Sequence, residues 1–203
     1  MIAQMTLEEY LDFEARSPDG HEYRGGVTYS LATPSRNHGD VAMNLALVLG
    51  AASRAVGCKA YAGDMKIVTP GGERLIPDFA IRCDQDRGDP GAMSGENIAT
   101  DPWLVVEILS ESTAATDMTE KLDAYQSVPS IAHYLIIDSR RRSMRAFERL
   151  ADGRFETRGP VSSVTLPALG NLVLTLDDVY RDTTMPSFPK IVRETGPEND
   201  AST

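Results

Sequence analysis

A single carboxylate inside an apolar run constrains this chain more than any other feature. Trp103 to Leu109 reads WLVVEIL. A nearly continuous apolar run of this length is the pattern of a strand covered on both faces, because a strand wetted on one side alternates apolar with polar residues. Glu107 breaks the run. An ionised carboxylate buried alone is strongly unfavourable, so Glu107 must be neutral, paired with a base or bound to a metal.

The segments around it read as alternating helices and strands. Thr6-Leu-Glu-Glu9 is a capping box that opens a short N-terminal helix. His21 to Leu31 reads as two β segments around Gly25-Gly26, a pair able to take the positive φ angles of a tight hairpin. Ser35 or Asn37 caps a helix reaching about Val56, in which Val41, Leu45, Val48, Leu49, Ala52 and Val56 recur at helical spacing. Cys58 to Thr69 reads as a strand that enters a turn at Pro70-Gly71-Gly72, and Pro77 to Arg82 as another with Phe79 and Ile81 on one face. Asp84 to Pro102 reads as a surface loop. Asp117-Met-Thr-Glu120 caps a helix to about Ser127, which Pro129 stops. His133 to Asp138 reads as a second buried strand with Arg142 to Arg149 beside it. Phe155, Val161, Val164 and Leu172 to Leu176 mark shorter β pieces. Residues 1–182 are expected to form one domain, and 183–203, holding Pro186, Pro189 and Pro197, a flexible acidic tail.

Charge narrows the function. Twenty Lys and Arg against 30 Asp and Glu leave a net charge of −10, a field that repels phosphate backbones and anionic membranes. Nucleic-acid binding then needs a local basic patch or bound cations. Arg140, Arg141, Arg142, Arg145 and Arg149 supply such a patch, or else line a solvated hairpin. No run approaches the roughly 18 to 20 apolar residues of a membrane span, and Met1 to Tyr10 lacks a basic segment followed by an apolar one, so a cytoplasmic protein is expected. Cys58 and Cys83 match no bridge or zinc spacing and read as small core residues.

Asp78 is the natural companion of Glu107. It follows Pro77 at the start of a strand, where an acid can project beyond a sheet, and two carboxylates suit Mg²⁺, Mn²⁺ or Ca²⁺. The alternative is that Glu107 caps a loop or pairs with an arginine. Glu22 in HEY, Pro34 and His38 ahead of a helix, Pro77-Asp78, LVVEILSEST (Leu104 to Thr113) and DMTEKLDAY (Asp117 to Tyr125) together resemble the Uma family of restriction endonucleases, within the PD-(D/E)XK nuclease superfamily. The resemblance runs from about Met5 to Asp182. It implies an α/β fold of the α+β kind, restriction-endonuclease-like, with a central mixed sheet flanked by helices. It also implies a metal-dependent endonuclease acting on DNA with Mg²⁺ or Mn²⁺, Asp78 and Glu107 as ligands. The superfamily lysine normally lies two residues after the second acid, where this chain has Leu109, so the resemblance moves that role to Lys121. Glu22 and His38 match family positions that add a ligand or a supporting contact. Ser110 can hydrogen-bond a ligand carboxylate, Lys66 reads as a solvated residue, and Tyr125 as packing under the sheet. A catalytically weak or inactive binding module of the same fold is the competing reading, and a homodimer is among the expected assemblies.

Overall fold

The structure is a computed structural model that describes residues 1–31, 33–63, 65–83, 98–99, 101–110 and 120–186. The expected cap at Asp117, most of the loop from Asp84 and the tail from 187 onward lie outside the described residues.

Strand β1 (Ala3–Gln4) precedes helix α1 (Leu7–Glu14), which Thr6 and Glu9 cap reciprocally: Glu9 N–H donates to Thr6 Oγ1 at 3.2 Å and Thr6 N–H to Glu9 Oε2 at 2.7 Å. Strands β2 (His21–Arg24) and β3 (Val27–Ser30) form a hairpin whose two-residue loop has Gly25 at φ 53° and Gly26 at φ 78°. Side chains with a Cβ resist both angles, which is why the pair of glycines sits there. Helix α2 (Arg36–Ala55) starts at Ser35, whose hydroxyl accepts the N–H of His38.

Strands β4 (Lys59–Ala62), β5 (Lys66–Val68), β6 (Arg74–Leu75), β7 (Phe79–Arg82), β8 (Ile98–Ala99) and β9 (Leu104–Leu109) lead to helix α3 (Glu120–Gln126). Strands β10 (His133–Asp138), β11 (Met144–Arg149), β12 (Phe155–Val161), β13 (Ser163–Leu166) and β14 (Leu172–Thr175) follow, and helix α4 (Leu176–Val179) comes after them. One six-stranded sheet runs β12-β11-β10-β9-β7-β4, with β9 and β10 parallel and the other pairs antiparallel. Parallel neighbours need a crossover connection, and α3 lies on it. A second six-stranded sheet runs β1-β3-β2-β6-β5-β8.

The alternation of β9 explains its apolar run. Leu104, Val106 and Ile108 pack with Val41, Leu45 and Leu49 of α2. Val105 and Leu109 pack on the other face with Ala124 and Tyr125 of α3. Glu107 shares that second face, so it points toward α3.

Three expectations change. The single strand from Cys58 to Thr69 divides into β4 and β5, which belong to different sheets, and Gly63 at φ 76° sits at the break. Cys58 and Cys83 are joined in a disulfide, contrary to the reading of two unbridged core residues. Lys59 pairs with Arg82 across β4 and β7, so the next positions outward put the two cysteines face to face, 4.3 Å apart at Cα. Sequence spacing carries no trace of that register. Arg149 leaves the solvent patch and donates to the carbonyls of Gln126, Val128 and Ile131 at 3.1, 2.8 and 2.6 Å, acceptors at and just after the end of α3.

Candidate active site at the junction of the two sheets

The register of β7 and β9 brings the two acids together. The two strands pair as far as Phe79 opposite Val106, and Asp78 and Glu107 are the next residues beyond that pair, toward the same end of the sheet. Asp78 Oδ2 accepts the backbone N–H of Ile108 at 2.6 Å, and Oδ1 lies 2.9 Å from His38 Nε2. His38 comes from the first turn of α2, so the helix that covers one face of the sheet also reaches its end.

Glu107 is held from α3. Its Oε1 accepts from Lys121 Nζ at 3.0 Å and from the Tyr125 hydroxyl at 2.6 Å. Lys121 and Tyr125 are four residues apart and so share one side of the helix. Burial first, and then the charge of Glu107, push the Tyr125 hydroxyl well above its ordinary pKa, which keeps it a donor. Lys121 Nζ also lies 2.9 Å from Glu22 Oε1, and that oxygen accepts the N–H of Ile76 at 3.0 Å. Glu22 belongs to the second sheet. The ammonium of Lys121 therefore ties the two sheets together through two carboxylates, with all three side chains buried.

These groups line one cleft of about 790 Å³, to which Glu22, His38, Asp78, Glu107, Ser110 and Lys121 all contribute. The sequence reading missed two contributors to its electrostatics. Arg24 lines the cleft, stacks its guanidinium 4.3 Å over Tyr29 and faces Glu22 and Glu120 at 3.7 and 3.5 Å. Tyr125 is expected to pack under the sheet on the same helix side as Lys121, and it also donates to Glu107.

Other candidates lie elsewhere. Lys66 pairs with Glu14, whose second oxygen lies 2.9 Å from His21 Nδ1. Burial works to raise the Glu14 carboxyl, but the bonds from Lys66 and His21 outweigh it and hold it below the usual range. Arg140 and Arg141 grip Asp138 at 2.8 and 3.0 Å, and Arg142 pairs with Asp177. Among the described residues these three arginines are not part of the cleft wall, and acids of the same chain offset their charge. Their turn is nonetheless adjacent to the end of β9, since Ser139 N–H donates to Leu109 O at 3.1 Å.

The same turn is anchored by Tyr180, whose hydroxyl lies 2.8 Å from the carbonyls of Asp138 and Ser143. Burial pushes this phenol from 10.0 up to about 12. A folded pKa above the unfolded one means stability that is intact below pH 10 and is lost as pH rises toward 12. Denaturant midpoints of the wild type are expected to fall across that window, and Tyr180→Phe is expected to flatten the fall.

A mixed α+β architecture with an acidic pair at a sheet end, a buried lysine and a cleft is the restriction-endonuclease-like class of fold. The chain belongs to the Uma2 family, whose model, described as "Putative restriction endonuclease", matches residues 7–177. It is 28% identical over 181 residues to the uncharacterized protein slr1290 of Synechocystis sp., covering 88% of this chain and 92% of that one. A second Synechocystis sp. protein, the uncharacterized sll1609, is 24% identical over 149 residues, covering 73% and 82%. A crystal structure from Anabaena variabilis, described as "a putative nuclease belonging to DUF820", superposes with a TM-score of 0.68 at 18% identity over 86% of this chain and 97% of that one. At that identity the likeness speaks for the fold.

Proposed function

We propose that this protein is a divalent-metal-dependent endonuclease that hydrolyses DNA phosphodiester bonds in the cleft at the sheet junction. The observation that carries the reading is the convergence of Asp78 and Glu107 on one cleft, with Lys121 bridging Glu107 to Glu22. The family match and the nuclease described for the structural relative support it.

The donor set fits a hard cation. Asp78 and Glu107 offer carboxylate oxygens, and no cysteine lines the cleft. Among the described residues no group of three or more His, Cys, Asp or Glu side chains is gathered as a metal cage. Ions such as Mg²⁺ take one or two protein carboxylates, with water and substrate phosphate completing the shell. When bound, the ion polarises the phosphate and lowers the pKa of a coordinated water. Lys121 and Tyr125 fix the orientation of Glu107, and His38 and the Ile108 N–H fix that of Asp78. Arg24, held between Glu22 and Glu120, and Ser110 complete the polar lining of the cleft.

The inactive-module reading draws on one observation: the ammonium of Lys121 is engaged by two carboxylates, at 2.9 and 3.0 Å. Titrating Mn²⁺ into the apoprotein separates the readings. The nuclease reading expects one site per chain, removed by Asp78→Asn, which keeps the shape and deletes the charge. Absence of that site, or its survival in Asp78→Asn, contradicts the proposed metal centre.

A further inference from the structure

The outer face of α2 carries an apolar and charged stripe with no partner among the described residues. Val41, Leu45 and Leu49 are fully buried, and at about 100° per residue the opposite side of the helix centres on Leu47. Leu47 is 65% exposed and Met43 61%. Asp40 and Arg54 lie seven residues before and after Leu47, about 20° from it around the helix. Neither is in an ion pair among the described residues, although most charged side chains near the cleft are. A Cβ built on Gly39 or Gly50 meets nothing within 4 Å, so the space beside the stripe is open.

The order of these residues is self-complementary. We infer that this face is the contact surface of a homodimer in which two copies of α2 cross antiparallel about a twofold axis at Leu47. In that arrangement Leu47 meets the partner's Leu47 and Met43 meets the partner's Ala51. Asp40 meets the partner's Arg54, and Arg54 the partner's Asp40. A twofold contact uses one patch twice, so a single stripe must supply both halves of every match, and this one does. A shallow groove of about 400 Å³ between α2 and β4, lined in part by Ala46, Gly50, Lys59 and Tyr61, adjoins the stripe and widens the contact. The stripe from Asp40 to Arg54 is about 21 Å long, which suits a modest, reversible interface. His38 stands two residues before Asp40, so the contact would brace the helix that supplies the histidine beside Asp78.

Charge reversal tests the geometry as well as the association. Sedimentation velocity of the full chain from about 1 to 100 µM is expected to show mass rising toward that of a dimer, the range in which modest interfaces populate both forms. Leu47→Asp is expected to remain monomeric. Asp40→Arg and Arg54→Asp each place like charges together twice, and each is expected to weaken the dimer by roughly tenfold or more. Mixing those two variants restores both opposite-charge pairs, so a heterodimer is expected, and the chain carrying both reversals is expected to self-associate again. Circular dichroism confirms that each variant is folded. A wild type that stays monomeric, a dimer indifferent to Leu47→Asp, or folded charge variants that fail to associate on mixing would overturn the inference.

Discussion

Replacing Lys121 with Met is expected to destabilise the domain strongly. Met keeps the length of the side chain and removes the ammonium that sits 2.9 Å from Glu22 and 3.0 Å from Glu107. Two buried carboxylates are then left without their shared cation. Breaking a buried ion pair by deleting one partner costs about 3–5 kcal/mol, much of it the desolvation of the charge left behind. For a chain of this size that is a fall in Tm of roughly 6–20 °C. Adding Glu107→Gln to Lys121→Met should recover part of the loss, because it removes one of the stranded charges. Differential scanning calorimetry of the two variants measures both effects. A Tm for Lys121→Met within about 2 °C of the wild type, the scale of an ordinary surface substitution, contradicts the buried triad.

The second large effect concerns DNA affinity and follows from the net charge of −10. In EDTA the cleft presents Asp78, Glu107 and Glu22 to a phosphate, with Lys121 already shared between two of these acids. On the proposed function, Ca²⁺ or Mg²⁺ held there would remove that repulsion and supply a direct phosphate ligand. Duplex affinity is therefore expected to rise by about tenfold or more with the ion, a factor that corresponds to about 1.4 kcal/mol. Asp78→Asn should abolish the gain. The monovalent-salt slope should be shallow, about −0.9 for each phosphate neutralised, because Arg140, Arg141 and Arg142 are paired with Asp138 and Asp177. Fluorescence anisotropy with a labelled duplex gives both numbers. Equal affinity with and without divalent ions contradicts a metal centre that receives the phosphate.

Local chemistry made much of the fold legible. The capping box at Thr6, the paired glycines at the hairpin, the apolar spacing of α2 and the double-sided burial of β9 are each written in fewer than about 20 consecutive residues, where propensity and periodicity act. Glu107 stood out because it violated one of those local rules, and Lys121 and Tyr125 fall on one side of the same helix by simple spacing. What stayed hidden depends on registers and angles that distant segments set. Cys58 meets Cys83 only through the pairing of β4 with β7. Glu22 reaches Lys121 only because the second sheet abuts the first at the cleft. The sequence leaves the arginines after Asp138 open between a basic patch and a solvated hairpin, but the tight turn between β10 and β11 folds two of them back onto that acid, and α4 supplies Asp177 for the third.

Asp78 and Glu107 are proposed to act as one catalytic centre, and nicking of supercoiled plasmid tests that most directly. Wild-type protein is expected to nick in Mg²⁺ or Mn²⁺ and to stop in EDTA. Asp78→Asn and Glu107→Gln, each verified as folded, are both expected to lose activity by on the order of 10² or more, the scale of removing one preorganised electrostatic element. Nicking that persists in either variant at the wild-type rate, or that proceeds unchanged in EDTA, would contradict the assignment of the site.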